Sequence, residues 1–205
     1  MNVQFDGANR EHRLILDLVR SGSSVLDLGC GEGALLSLLV LERKAKARGI
    51  EIDEQAIYKC VARGLSVFHG DIDSGLSEYG DKSFDYVIFD QSLQQVRRPD
   101  QALSNALRVG REVIVVFPNF AYWSARFQMC FRGRTPVTPA LPNAWHDTPN
   151  LHFLSIADFI NYCRARGIII RNSVFLGGKR VAGMLPNLFA EVGIFLIAGH
   201  TGEQR

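Results

Sequence analysis

Apolar and polar positions along the chain follow two periods, and each period predicts one kind of element. Short apolar runs predict strands at 24–28, 46–52, 66–69, 83–90 and 112–117. Apolar residues at helical spacing predict helices at 9–20, 34–42, 54–63 and from residue 98 onward. Strands and helices therefore alternate, which is typical of a parallel sheet covered by helices on both faces.

The last third of the chain departs from this alternation. A capping box at Ser155 predicts a helix that ends at Gly167. Two apolar runs follow, at 168–176 and 192–198, and a connection containing Gly and Pro joins them. Because no helical pattern separates these runs, they predict an antiparallel pair. The expected fold is α/β, a doubly wound and mostly parallel seven-stranded sheet with an antiparallel last strand.

A glycine-rich turn follows the first predicted strand and forms the main candidate site. The apolar run contains Asp27 and leads into Gly29, Cys30 and Gly31, and a helical pattern opens after Gly33. Glycine permits positive φ and close approach of the backbone to a ligand, and the third glycine allows close packing of the helix. A strand–turn–helix unit of this kind predicts a site for a nucleotide-like ligand.

Acidic residues end two further predicted strands. Glu51 ends the second strand, beside the first in a doubly wound sheet, where a carboxylate can accept hydrogen bonds from both ribose hydroxyls. Asp53 is the alternative for that role, although it is better suited to cap the next helix. Asp90 ends the fourth strand, at the sheet edge where ligands bind in open α/β folds.

The glycine turn resembles motif I of the class I S-adenosylmethionine-dependent methyltransferases, which have a Rossmann-like fold. Its glycines are spaced G-C-G-E-G, whereas dinucleotide-binding turns usually read G-x-G-x-x-G. Glu32 within the turn would repel a pyrophosphate, so dinucleotide binding is the minor alternative. The resemblance implies S-adenosylmethionine or S-adenosylhomocysteine as cofactor. It also implies that Asp71 accepts from the adenine amino group and that Ile52 and Ile72 cover the adenine ring.

The predicted acceptor side carries fewer signals. The segment after the fourth strand starts at Asp90 and contains neither the prolines nor the aromatic residue of the Asn/Asp-Pro-Pro-aromatic element. His69, His146 and His152 are candidate bases, although a lone histidine is more often structural. The sequence therefore assigns no catalytic residue.

An aromatic and proline-rich segment at 118–152 is predicted to be an insertion. It forms either a lid over the cofactor or a docking surface, since Trp, Tyr and Arg anchor interfaces. Phe120 and Phe127 are expected to be buried against the sheet, whereas Trp145 and His146 lie in a polar loop bounded by prolines.

The phrase L-P-x-x-W-x-D-T-P-N-x-H, followed by the helix start at Ser155, resembles the MetW family of methionine-biosynthesis proteins. The resemblance implies a protein that binds the cofactor and supports homoserine O-acyltransferase (MetX). A conventional small-molecule O- or N-methyltransferase is the alternative, and a scaffold that has lost cofactor binding is a third hypothesis. Association as a homodimer is left open.

Composition limits the other classes of function. The 205 residues are 47% hydrophobic and 21% charged, as expected for one globular domain over 1–205, with an N-terminal helix within 1–20. A formal charge of +2 provides no basic field for nucleic acid. No cysteine pair has C-x-x-C spacing, so the four cysteines predict no metal site, and those at 60, 130 and 163 are expected in the core. The lack of a membrane span or apolar leader predicts a cytoplasmic protein, and 200–205 are expected to be a mobile tail.

Overall fold

A single sheet organises the part of the chain that the computed structural model describes, residues 8–74, 76–178 and 180–199. The predicted tail at 200–205 lies outside these residues. The strands are β1 (Ser24–Leu28), β2 (Lys46–Glu51), β3 (Val67–His69), β4 (Phe84–Asp90), β5 (Gly110–Pro118), β6 (Ile169–Gly177), β7 (Arg180–Val181) and β8 (Val192–Ala198). The helices are α1 (Ala8–Leu18), α2 (Ala34–Arg43), α3 (Glu54–Ala62), α4 (Pro99–Val109), α5 (Trp123–Arg132), α6 (Ile156–Ala165) and α7 (Pro186–Phe189).

The strand order is β3-β2-β1-β4-β5-β8-β6-β7. β1 pairs in parallel with β2 and β4, and β4 pairs in parallel with β5. β8 runs antiparallel between β5 and β6, which confirms the predicted reversal of the last long strand. The expected seven strands are joined by an eighth, β7, which has two exposed residues and so shows no apolar run. The four-residue helix α7 in the same connection was also not predicted.

Helices cover both faces of the sheet. On one face, α1 and α2 contribute Ile15, Leu16 and Leu39 to a buried cluster with apolar residues of β1, β4, β5 and β8. On the other face, α4 contributes Leu103 and α6 contributes Phe159 to a second cluster. The predicted helix boundaries agree to within two residues, because apolar side chains recur at helical spacing wherever a helix covers the sheet.

A close contact joins β2 to the turn after β1. A Cβ atom on Gly49 would lie 2.4 Å from Cys30 Sγ and 2.8 Å from Leu36 Cδ1. Cys60 is also buried beside Cys30 and Leu36, and Cys163 lies on the buried face of α6. Cys130 was expected in the core and is exposed, because α5 has its helical spacing without a covering layer on that side.

Helix α5 corrects a second expectation. Phe127 was predicted to pack against the sheet but is 45% exposed, whereas Ala125 is the buried residue of this helix. Phe120 lies before the helix, is half-buried and contacts the Phe153 ring at 4.8 Å between centroids. In the described ranges, no helix has both the length and the apolar character that crossing a membrane requires.

We expect the aromatic cluster between β5, β8 and α6 to dominate stability. The rings of Phe117 and Phe195 stack at 5.7 Å, and Phe159 lies 4.8 Å from Phe195. Replacing Phe195 by Ala should lower the free energy of unfolding by about 3–5 kcal/mol in urea denaturation, because the removed ring leaves a cavity. Phe131→Ala is the matched control, since Phe131 is 75% exposed and its loss should cost well under about 1 kcal/mol. Equal losses for the two variants would contradict this assignment of the core.

Candidate functional site

A cavity of about 650 Å³ opens at the carboxyl ends of β1, β2, β3 and β4. Parallel strands end together at this edge, so residues distant in the sequence meet there. Seven of the nine residues predicted for the site line the cavity, and Asp27 and Cys30 do not. The seven are Gly29, Gly31, Glu51, Ile52, Asp71, Ile72 and Asp90.

The glycine turn forms one wall of the cavity. Gly29 has φ 76° and Gly31 has φ 52°, a region that side-chain-bearing residues rarely adopt. Open space lies in front of Gly31, as expected for a position that faces a ligand. Gly29 is constrained differently, because an added Cβ would lie 2.8 Å from Ser92 Cβ. At Gly33 a Cβ would meet Leu65 and Cys60, so its closest neighbours are the protein's own side chains.

The Glu51 carboxylate holds the turn in place. Its Oε2 accepts from the backbone N–H of Gly31 at 2.8 Å, and its Oε1 accepts from Ile52 and Asp53 at 2.8 and 3.0 Å. A carboxylate has about four acceptor positions, so these three bonds leave capacity for a hydroxyl donor. Asp53 caps α3 by accepting from Gln55 N–H at 2.9 Å, which confirms the helix-capping alternative for that residue.

Two isoleucines and an aspartate lie along the opposite part of the cavity. Ile52 is 60% exposed, which is unusual for a branched apolar side chain, and Ile72 is half-buried. Asp71 is exposed and accepts from Asp73 N–H at 2.9 Å through Oδ1. Asp73 in turn accepts from the backbone N–H groups of Arg97 and Arg98, so this loop is joined to the segment before α4.

Asp27 lies behind the cavity wall rather than on it. The side chain is 1% exposed, and neither carboxyl oxygen has a hydrogen-bond partner among the described residues. Burial, together with the charges of Asp90 and Glu51, raises the pKa of Asp27 well above its ordinary value of 3.8. A buried carboxylate without a donor is costly, so burial favours the protonated, neutral form of Asp27.

Helix α1 supplies polar contacts that the sequence did not indicate. His12 Nε2 lies 3.0 Å from Asp90 Oδ2, and Gln91 Nε2 donates to Glu11 Oε2 at 2.6 Å. Burial lowers the pKa of His12, but its hydrogen bond to Asp90 and the charges of Asp90 and Glu11 outweigh burial and raise it. Gln91 has φ 54°, an uncommon conformation for a residue with a side chain, and it lines the cavity.

Ser92, two residues after Asp90, makes a contact that the sequence did not indicate. Its hydroxyl donates to Leu28 O at 2.5 Å and joins the end of β4 to the end of β1. It lines the cavity as well. The contacts of His12, Gln91 and Ser92 join residues that are 64 to 80 positions apart. No spacing pattern in a sequence predicts pairs at such a separation.

The end of the predicted insertion reaches the cavity. Pro149 and Leu151 line it, and Leu151 N–H donates to Gln94 O at 3.0 Å. Trp145, in contrast, is 75% exposed and contacts the His146 ring. The last part of the insertion therefore borders the cavity as a lid would, whereas Trp145 faces solvent.

The remaining candidate histidines make backbone contacts. His152 Nε2 lies 3.0 Å from Val96 O, and the exposed His69 contacts Ile52 O at 3.2 Å. Within the described ranges, no group of three His, Cys, Asp or Glu side chains is arranged to hold a metal ion.

Several solved structures that share this fold are described as S-adenosylmethionine-dependent methyltransferases. One from Mesorhizobium loti has a TM-score of 0.68 at 16% identity, covering 95% of this chain and 99% of that one. Another, from Thermotoga maritima, has a TM-score of 0.65 at 17% identity and covers 91% and 86%. Identities this low establish the shared fold alone.

Sequence comparison identifies the family. A curated relative from Rhodopirellula baltica, the bifunctional methionine biosynthesis protein MetXA/MetW, is 35% identical over 199 residues. The match takes in 91% of this chain and 32% of the relative, so the chain spans about a third of that protein's length. The family described as methionine biosynthesis protein MetW matches residues 9–197. The chain therefore belongs to the MetW family of methionine-biosynthesis proteins and has a methyltransferase-like Rossmann fold.

Proposed function

We propose that the chain binds S-adenosylmethionine or S-adenosylhomocysteine in the cavity at the ends of β1 to β4 and, in doing so, supports homoserine O-acyltransferase (MetX). The observation that carries the cofactor assignment is the set of acids at this edge. Glu51 and Asp90 line the cavity. Behind it lies Asp27, whose raised pKa favours the protonated form and whose oxygens have no partner within the described chain. A ligand with a sulfonium and an ammonium group suits these acids, whereas a pyrophosphate does not.

The residues present fit such a nucleoside along its length. Gly31 offers open space for close approach, and Glu51 retains acceptor capacity for a ribose hydroxyl. Ile52 and Ile72 would cover the adenine ring, and the free oxygen of Asp71 would accept from its amino group. When bound, S-adenosylmethionine supplies an activated methyl group, and these residues would orient it and exclude water.

Support for an acyltransferase partner comes from two observations. The relative from Rhodopirellula baltica carries MetXA and MetW in one name, so we infer that the two activities belong together. This chain also leaves one face of α5 uncovered, where Trp123, Phe127 and Phe131 are 49%, 45% and 75% exposed. Their spacing of four residues puts them on one side of the helix. Arg132 lies 5.8 Å from the Phe127 ring, and aromatic residues with arginine are typical of interface centres.

A conventional small-molecule O- or N-methyltransferase is the second candidate. The observation that favours it is the His12–Asp90 contact beside the cavity, because a histidine oriented by a carboxylate can accept a proton from a methyl acceptor. Transfer of a labelled methyl group from S-adenosylmethionine to a small metabolite by the chain alone would favour this candidate over support of the acyltransferase.

The first test concerns Glu51. We expect Glu51→Gln to bind S-adenosylhomocysteine about 10- to 100-fold more weakly in isothermal titration calorimetry, because the amide replaces one acceptor oxygen and disrupts the turn at Gly31. Glu54→Gln is the control, since Glu54 is exposed on the next helix and does not line the cavity. Unchanged affinity of Glu51→Gln would remove Glu51 from the site.

The second test uses the buried acid. The pKa of Asp27 is raised in the folded state. The folded chain therefore keeps a proton that the unfolded chain releases above about pH 4. The free energy of unfolding consequently falls as the pH rises above that value. Thermal melts of Asp27→Asn and wild type should therefore diverge in favour of the variant between pH 4 and pH 7.5. Asp147→Asn, on an exposed loop, should show a far smaller trend. A Tm difference independent of pH would exclude a titrating Asp27.

The third test concerns the exposed face of α5. Trp123→Ala should weaken binding to homoserine O-acyltransferase by about 30-fold or more in biolayer interferometry, the effect typical of a central aromatic anchor. The control is Tyr58→Ala, since Tyr58 is 71% exposed on α3. If wild type binds the acyltransferase and both variants bind equally well, this face is not the interface. If wild type shows no binding, the partner assignment itself is wrong.

A further inference from the structure

A second cavity, of about 360 Å³, lies next to the first and is not used by the proposed function. The segments 93–96 and 151–153 separate the two. Gln95, Val96 and Leu151 line the first cavity, whereas Leu93, Gln94 and His152 line the second. The second cavity is therefore a separate site at the base of α4 and α6.

Most of its wall is apolar and fixed by the core. Leu93, Leu103 and Phe159 are 2–3% exposed and belong to the buried cluster on this face of the sheet. Phe153 and Leu154 form part of the outer side, where Phe153 is 72% exposed. Such a wall suits a small ligand with an apolar body.

Gln94 places an unpartnered acceptor in this wall. The side chain is 2% exposed, its Nε2 donates to Gln91 O at 2.8 Å, and its Oε1 has no partner among the described residues. Since the amide nitrogen is held by a carbonyl, the oxygen must be the free end. A buried acceptor of this kind carries a desolvation cost that a donor on a ligand would remove.

The other polar groups of the wall also lack free donors. Tyr162 donates to Asp100 at 2.5 Å, and His152 Nε2–H donates to Val96 O, because a carbonyl can only accept. Asp100 and Asp158 add carboxylates; Asp100 pairs with Arg166 Nη1 at 2.8 Å, and Asp158 Oδ2 accepts from Ser155 Oγ. Of the described residues that line the cavity none is Lys or Arg, so an anionic ligand would find no cation in the wall and no unused strong donor.

We propose that this cavity binds a small, mostly apolar molecule that carries an amine, with the amine donating to Gln94 Oε1 and the apolar body resting on Leu103 and Phe159. The proposal does not depend on cofactor binding in the first cavity. It assigns a second small-molecule site to the chain, beside the cofactor site and distinct from it.

The test compares two probes of similar size and opposite charge, 2-phenylethylamine and 3-phenylpropanoate, by protein-observed NMR titration of the full chain. The amine should bind with a dissociation constant on the order of 1 mM, as expected for a ligand of nine heavy atoms, and should shift resonances of residues 93–94 and 152–154. The acid should bind at least about tenfold more weakly. Equal or tighter binding of the acid, or shifts confined to the first cavity, would overturn the proposal.

Variants separate the acceptor from the rest of the wall. Gln94→Leu should weaken amine binding about tenfold or more. Gln95→Leu is the matched control and should leave amine binding unchanged, because Gln95 also donates to Gln91 O but lines the other cavity. Leu154→Trp fills the second cavity and keeps Gln94, so it should abolish amine binding. This variant provides the test if Gln94→Leu does not fold. Retained amine affinity in a folded Gln94→Leu or Leu154→Trp variant would contradict the site.

Discussion

The candidate site depends on one carboxylate that joins two strands. Glu51, at the end of β2, accepts hydrogen bonds from three backbone N–H groups, one of them on Gly31 in the turn after β1. Gly31 has a positive φ and open space in front of it, and its carbonyl accepts from Cys60 Sγ at 3.2 Å, so Glu51 is one of the contacts that hold the turn. The group that we propose to bind the ribose therefore also shapes the backbone around it. Under that proposal, ligand binding and the local order of the turn depend on the same side chain.

Acidic side chains are concentrated at the carboxyl edge of the sheet, where the cavity lies. The chain as a whole carries a formal charge of +2, yet the charged residues that line the cavity are four acids, Glu51, Asp71, Asp73 and Asp90, and one cation, Arg97. His12 is the basic group that pairs directly with one of these acids, through Asp90. Because helix α1 brings His12 to this edge, the first helix participates in the site instead of only covering the sheet. In this chain, α1 and the sheet edge are therefore joined by polar contacts.

Local sequence patterns predicted most of the helices and strands. Features that depend on contacts between distant segments could not be predicted. The bounds of β1 and β8 agree with the predicted ones, because a run of apolar residues and the turns that flank it are local features of the sequence. The sequence predicted that Gly29, Gly31 and Glu51 lie at one edge, since a doubly wound sheet places the ends of consecutive strands together. The contacts of His12 and Gln91 with Asp90 and Glu11 could not be predicted, because the paired residues lie 78 and 80 positions apart. Phe127 and Cys130 were placed in the core because helical spacing alone does not show which side of a helix is covered.

The narrow space between β2 and the glycine turn also has an evolutionary consequence. A methyl group at position 49 would overlap the sulfur of Cys30, which itself packs against Leu36 and Cys60. Neither residue can therefore gain volume independently. Homologues that carry alanine at the first position should carry a smaller side chain at the second, so that substitutions at these two sites accumulate as a pair across the lineage.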